Sequence, residues 1–286
     1  MKSTSTAEAI SAQLLAQLLQ HPAEAAVHSV FRTSVNLLWQ GQLVTLLDDT
    51  RPLYPCAVRL GGSVPSLTIG EPAFLSRERI EIPRSGVSVD LTRATVTSLS
   101  LFSPLLPLQM PHSAAPQALR EIIITGGKPE GFAPLLFLLE NKPCPLPDNP
   151  YVRYAAVRIP ALFTALQQKD PAAAAEAAYS IAGCGIGLTP SADDFLCGVM
   201  ASVLACAITH GEQNNWLPLT AAMAQRAGTR TNLISAAFLR QAACGQLSSD
   251  VLTLVRTFYS SVLSLRLPSA AMNVIAFGET SGTDIL

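Results

Sequence analysis

Charged residues are scarce in this chain. Lys, Arg, Asp and Glu make up 14% of its 286 residues, against 49% that are apolar. That is oily for a soluble protein and implies that surface beyond the core is covered by a partner subunit or another copy. The formal net charge is −1 and Lys and Arg are evenly spread, so no basic stripe exists to follow a nucleic acid, and nothing favours an anionic membrane. Paired cysteine motifs are missing too. Cys56, Cys144, Cys184, Cys197, Cys206 and Cys244 include no C-x-x-C and sit among apolar neighbours, as reduced core residues of a cytoplasmic protein do. The four histidines, His21, His28, His112 and His210, lack metal-ligand spacing. The opening Met1-Lys2-Ser3-Thr4 does not lead into a signal peptide, because Gln13, Gln17 and Gln20 interrupt the leucines that follow. The most apolar run, residues 195–209, falls short of the roughly 20 residues of a bilayer span and reads as a buried helix.

The stretch built for chemistry runs from Gly183 to Gly198, Gly-Cys-Gly-Ile-Gly-Leu-Thr-Pro-Ser-Ala-Asp-Asp-Phe-Leu-Cys-Gly. Gly183, Gly185 and Gly187 let the backbone bend tightly and approach a ligand. Thr189-Pro190-Ser191 then hands the chain to an apolar helix. Ser191 and Asp194 have capping-box spacing, which would leave the other N–H groups of the helix start pointing outward as an anion cradle. A fainter copy ends the sequence: Gly278-Glu279-Thr280-Ser281-Gly282-Thr283-Asp284-Ile285-Leu286, with Ser281 and Asp284 again three apart. If both blocks open helices, the fold brings two N–H-rich ends to one small, multiply anionic substrate. The bland alternative for each is an ordinary capped helix start.

Around this block the pattern divides the chain. Its length allows one large domain or two modest ones. We expect an α+β protein: residues 1–102 a small, β-rich antiparallel sheet or barrel with an opening helix, and residues 103–286 a mainly helical domain carrying the site. Ile10, Leu14, Leu15, Leu18 and Leu19 have helical spacing and stop before His21-Pro22. Strand-like runs follow at 35–39 and 43–47, flanking Gln40-Gly41, then at 56–60, 80–82 and 87–101, with Trp39 in the core or rim. Prolines crowd at Pro104, Pro107, Pro111 and Pro116, and again at Pro143, Pro145, Pro147 and Pro150, breaking regular structure. Helices are expected at 118–124, 132–140, 159–168, 172–179, 195–209, 217–227, 232–243 and 247–265. Thr125-Gly126-Gly127-Lys128 lacks the spacer and hydroxyl of a phosphate loop and reads as a turn.

Several chemistries fail on inspection. The Gly183 block follows an alanine-rich helix rather than a strand and has the wrong glycine spacing for a dinucleotide fingerprint. No Gly-x-Ser-x-Gly elbow occurs. Asp193-Asp194 invites a magnesium reading, but no second acidic cluster accompanies it, and a metal would have to recruit Asp284 or water. We therefore expect no resident metal or cofactor, with magnesium the one cation the pattern admits. One aspartate caps the helix and the other orients a substrate nitrogen or acts as a base. Downstream, Arg226, Arg230, Thr231, Ser235 and Arg240 lie among alanines. Thr231 and Ser235 stand four apart, and with an arginine they would complete an anion site, unless the hydroxyls bond their own helix.

Together these residues resemble the AllH family, a subunit associated with oxamate carbamoyltransferase in anaerobic allantoin degradation. The resemblance is carried by Gly187-Leu-Thr-Pro-Ser191-Ala-Asp-Asp-Phe-Leu196, by Ser34-Val-Asn36-Leu with Gln42-Leu-Val-Thr-Leu-Leu47, by the Thr231, Ser235 and Arg240 segment ending at Gly245, and by Thr280-Ser281-Gly282-x-Asp284. Two departures stand out: Ala192 replaces the family's glycine, and the sequence stops at Leu286 where the family's terminal motif continues. The resemblance implies carbamoyl transfer, interconverting oxalurate plus phosphate with oxamate plus carbamoyl phosphate, and it implies partner subunits. On this reading Thr189, Ser191, Asp193 and Asp194 are catalytic, while Gly185, Gly187, Thr231, Ser235, Arg240, Ser281 and Asp284 bind the small anion. The competing reading is a non-catalytic, anion-binding assembly or regulatory subunit.

Overall fold

In a computed structural model, which describes residues 3–20, 23–103, 107–140 and 142–286, the chain forms two units, Met1–Ser100 with Leu247–Ser249, and Leu101–Gln246 with Asp250–Leu286. His21-Pro22 and Pro104 lie outside the described residues. The protein is α+β, with a β-rich unit followed by a mainly helical one.

The β-rich unit opens on a strand where the sequence pattern suggested a helix from Ile10. Strand β1 (Ser3–Ser11) runs directly into α1 (Ala12–Gln20). The break falls at Ser11, whose hydroxyl accepts a hydrogen bond from Leu14 N at 3.3 Å and so caps the helix against further growth backwards. Ile10 is left in β1, opposite Val58 and Val96. Strands β2 (Ala23–Val30), β3 (Ser34–Trp39), β4 (Gln42–Leu47), β5 (Ala57–Leu60), β6 (Pro72–Leu75), β7 (Arg79–Ile82) and β8 (Val87–Asp90) complete a ring in the order β1-β8-β7-β6-β2-β3-β4-β5 and back to β1. Strand β9 (Thr95–Thr97) is added beside β1. The sheet is mixed rather than antiparallel: β1 pairs parallel with β8 and β9, and β4 with β5. A register shift between Ala7 and Ala9 lets β1 serve both sides of the closure. Closure pairs the strands of the ring on both sides and buries Val35, Leu37, Leu46, Val58, Leu75, Ile80, Ile82 and Val89 with Leu14 and Leu18 of α1. The β3–β4 turn uses positive φ at both Gln40 and Gly41, which suits a tight hairpin. Trp39 is core.

In the helical unit, α2 (Ala115–Gly126), α3 (Leu135–Leu138), α4 (Pro150–Ala156), α5 (Ile159–Gln167), α6 (Pro171–Ile181), α7 (Ser191–Thr209), α8 (Gln213–Ala227), α9 (Leu233–Ala243), α10 (Ser249–Phe258), α11 (Leu267–Ile275) and α12 (Ser281–Asp284) follow in order. The proline-rich stretch hides α4: Pro150 stands at its first position, after Asn149, whose side chain accepts from Tyr151 N and Val152 N. The helix expected over 247–265 ends at Phe258. Leu267-Pro268 starts α11, because proline is tolerated in a first turn but not within a helix. At its centre lies α7, apolar on all sides and packed against α6, α8, α9 and α12. It is long and apolar enough to cross a membrane by length and composition alone, but 61% of its most apolar window is buried inside the protein, as in a core helix.

Candidate functional site

The Gly183 block joins the end of α6 to the start of α7. Gly183, Gly185 and Gly187 have φ of 72°, 132° and 90°, all in the region that disfavours side chains. Gly185 is also fixed by space, since a Cβ there would lie 2.4 Å from Ser191 N. The loop is tied down from both directions. Asp193 Oδ1 accepts from Gly183 N at 2.8 Å, Thr231 Oγ1 donates to Asp193 Oδ2, and Asn232 Nδ2 donates to Leu188 O at 2.8 Å. Asn232 in turn caps α9, so the start of α9 and the start of α7 hold the loop between them.

The capping box does not form. Ser191 is the first helical residue, Pro190 takes the cap position, and no side chain bonds to it. Ser191 instead lies 3.5 Å from Thr280 Oγ1, and Thr189 Oγ1 lies 2.8 Å from Ser281 Oγ. The two Gly-Thr-Ser-Asp blocks therefore meet. Most of their helix-start N–H groups, however, are already spent: Ala192 N donates to Cys184 O, Asp193 N and Asp194 N to Pro190 O, Gly282 N to Phe277 O, and Thr283 N and Asp284 N to Thr280 O. The anion cradle expected at the two helix ends is thus largely taken up by the backbone, which leaves Ser191 N and Ser281 N as its remaining donors. Within the two blocks, the N–H groups that donate to no protein acceptor are those of Gly185 to Thr189, of Ser191, and of Gly278 to Ser281.

What converges instead is a buried set of hydroxyls and carboxylates. Ser191, Asp193, Asp194, Ser235, Thr280 and Asp284 are all buried. Asp284 Oδ1 accepts from Phe132 N at 2.6 Å, and Ser191 and Thr280 lie beside it and favour its charged form. The Phe132 ring packs on Phe195 at 5.9 Å between centroids, so the turn after α2 lies against the terminal block. That turn, Gly126-Gly127-Lys128, supports Thr283, whose Oγ1 accepts from Lys128 N at 3.0 Å. One oxygen each of Asp194 and Asp284, and the Ser235 hydroxyl, are buried without a hydrogen-bond partner.

Burial raises all three aspartates from their ordinary value, Asp194 most strongly. For Asp194 desolvation comes first. The Ser281 and Thr189 hydroxyls oppose it, and the neighbouring Asp284 and Asp193 charges add to it. For Asp193 burial outweighs the Thr231 and Gly183 donors and the neighbouring Ser235 hydroxyl. Asp194 is thus suited to hold a proton and Asp193 to orient the loop.

Of the residues singled out by sequence, Gly185, Gly187, Thr189, Ser191, Asp193, Asp194, Thr231, Ser235, Ser281 and Asp284 gather here. Thr231 does so from just before α9 rather than from within it. Arg240 does not: it is exposed in the last turn of α9, about 12 Å of helix rise from the cap. Phe132 was missed, since it does not stand out without the fold, and Thr280, although part of the terminal block, was not singled out as a site residue. Among the described residues no group of three His, Cys, Asp or Glu side chains converges on a metal position. The cavity of about 430 Å³ between α2, α7 and α10 is lined mainly by apolar side chains, among them Leu119, Ile123, Ala201, Leu254 and Phe258, and contains none of the polar cluster.

Fold and site together define a two-unit α+β protein whose helical unit carries a glycine loop over a buried hydroxyl–carboxylate cluster. The chain belongs to the AllH family: residues 4–96 match the AllH family N-terminal domain, and residues 181–286 match the family described as oxamate carbamoyltransferase subunit AllH. That description makes it a subunit of a carbamoyltransferase and implies companion subunits. No curated protein and no solved structure matches the chain.

Proposed function

We propose that this chain carries the substrate site of an oxamate carbamoyltransferase, interconverting oxalurate plus phosphate with oxamate plus carbamoyl phosphate in anaerobic allantoin degradation. The observation that carries this reading is the meeting of the Gly183–Asp194 and Thr280–Asp284 blocks, two separate segments that place four hydroxyls and two carboxylates together. In the direction of oxalurate breakdown, a phosphate oxygen attacks the carbamoyl carbon. The bond from that carbon to the oxamate nitrogen then breaks, and the proton leaving phosphate ends on that nitrogen. Asp194, whose proton affinity is raised by burial, is the group to pass that proton. Thr189, Ser191 and Ser281 orient the anions, and Asp193 fixes the loop whose N–H groups face developing negative charge. The six free thiols suit a reducing, cytoplasmic setting.

A second reading makes the chain a non-catalytic assembly or regulatory subunit. It is favoured by Ile186 and Leu188, which stand 51% and 49% exposed on the glycine loop, where a partner surface would cover them. The deciding experiment is turnover by the reconstituted complex carrying Asp193→Asn or Ser191→Ala, with folding followed by circular dichroism. Loss of turnover in folded protein supports the catalytic reading. Full activity in both variants, or full activity of the partner subunits alone, rejects it in favour of the second.

A further inference from the structure

Substrates of this class are anions, yet the cluster described above is a set of carboxylates and hydroxyls, and most of its helix-end N–H groups are spent. Positive charge stands on the other flank of the glycine loop. Arg158, at the α4–α5 junction, stacks 3.6 Å above the Tyr154 ring and donates from Nη1 to Tyr154 O at 2.7 Å. Arg230, between α8 and α9, donates from Nη1 to the carbonyls of Tyr179 and Ser180 at 2.9 and 3.2 Å, and from Nη2 to the Tyr154 hydroxyl at 3.2 Å. That hydroxyl itself donates to Ser180 O at 2.9 Å. One tyrosine thus holds both guanidinium groups beside the last turn of α6, from which the loop departs. The loop stays close: a Cβ on Gly183 would lie 2.7 Å from Arg230 O, and both arginine charges act on the Cys184 thiol.

Among the described residues neither arginine has a carboxylate partner. The contrast is Arg226, which sits over the Tyr179 ring at 3.7 Å and pairs with Glu176 at 2.7 Å. Arg158 and Arg230 therefore keep unspent donors on side chains already immobilised by stacking and by carbonyl contacts, which lowers the entropy lost on binding. We propose that Arg158 and Arg230, with the N–H groups of Gly185 to Thr189, form the seat for the oxyanion end of the substrate, a carboxylate or a phosphoryl group. This rests on the catalytic reading above and adds to it: the carboxylate cluster handles the proton, and the arginine flank holds the charge. A guanidinium fork matches either oxyanion in a bidentate way.

The test uses the assembled complex, comparing Arg158→Met, Arg158→Lys, Arg230→Met and the paired Arg226→Met. Steady-state kinetics are run against oxamate and carbamoyl phosphate separately, and binding of oxamate and of inorganic phosphate is followed by calorimetry. Losing charge-assisted contacts corresponds to a weakening of about tenfold to a hundredfold. The seat predicts a rise of that size in KM and Kd for one of the two anions in Arg158→Met and Arg230→Met, with a smaller change in kcat. Arg158→Lys should fall between, and Arg226→Met should stay near wild type. A change confined to oxamate identifies the carboxylate, and one confined to carbamoyl phosphate and phosphate identifies the phosphoryl group. Because Arg230 also caps α6, Arg158→Met decides the matter if Arg230→Met does not fold. Unchanged KM and Kd in folded Arg158→Met, with turnover still abolished by Asp193→Asn, overturn the seat and leave the catalytic reading intact. A complex that turns over without this chain removes both.

Discussion

Asp194 gives the sharpest prediction, because its environment works against its own charge. It is 8% exposed, one of its oxygens is buried without a partner, and Asp284 and Asp193 lie close enough for their charges to raise it further. Asp194→Asn keeps the shape and removes the charge, and its amide can donate to the Thr189 and Ser281 hydroxyls. A buried polar atom left unpaired costs about 1–3 kcal/mol, and a tenfold change in proton affinity is worth about 1.4 kcal/mol. We therefore expect Asp194→Asn to stabilise the protein at pH 8 by about 1–3 kcal/mol, or about 2–4 °C in Tm per kcal/mol for a unit of this size, while abolishing turnover in the complex. The sign of the pH dependence follows from the raised folded value. Well below the ordinary aspartate value of about 3.9 Asp194 is neutral in both the folded and the unfolded protein, and the stability gap between wild type and variant holds a constant low-pH value. As pH rises above it, the unfolded chain ionises first, so wild type loses stability relative to the variant until Asp194 ionises in the folded state as well. Beyond that point the gap is constant. Urea unfolding of both proteins from pH 4 to 8 measures this. An Asp194→Asn variant less stable at pH 8, or a gap independent of pH, would refute the argument and mean that a counter-charge holds Asp194 ionised.

Gly185→Ala should lose turnover and cost about 1–3 kcal/mol of backbone strain, since φ is 132° and the new Cβ would meet Ser191 N at 2.4 Å; thermal unfolding paired with activity checks it, and wild-type behaviour of both would sink the close-approach argument. Thr231→Val leaves one Asp193 oxygen without its donor, at a cost of about 1–3 kcal/mol, and Thr231→Ser should restore most of it. Equal stability of the two Thr231 variants in denaturant titration would show that the hydroxyl does not hold Asp193.

Much of this was legible from residue order alone. The Gly183 block announced itself because glycines, hydroxyls and adjacent carboxylates at a helix start are a local pattern, and its fainter copy at the end of the sequence was visible by the same comparison. Strands β3 and β4 were readable from alternation around Gln40-Gly41. Strand β1 was not, because Ile10 fits the leucine periodicity of α1, and only the Ser11 cap and the ring closure against β5, β8 and β9 override it. Helix α4 was masked by the prolines that in fact begin it.

Sequence by itself determined the two-part α+β plan, the glycine loop and most of the polar residues that gather around it, since these depend on local conformational preference and hydrophobic period. Tertiary structure alone decided how those residues are used. It spent most of the helix-end N–H groups on nearby carbonyls, turned Ser191 from a cap into a neighbour of Thr280, buried three carboxylates together, and left Arg240 far from the loop while bringing Arg158 and Arg230 beside it. Whether a donor is free and how far a charge is desolvated depend on contacts between segments remote in the chain, as the 89 residues separating Ser191 from Thr280 illustrate.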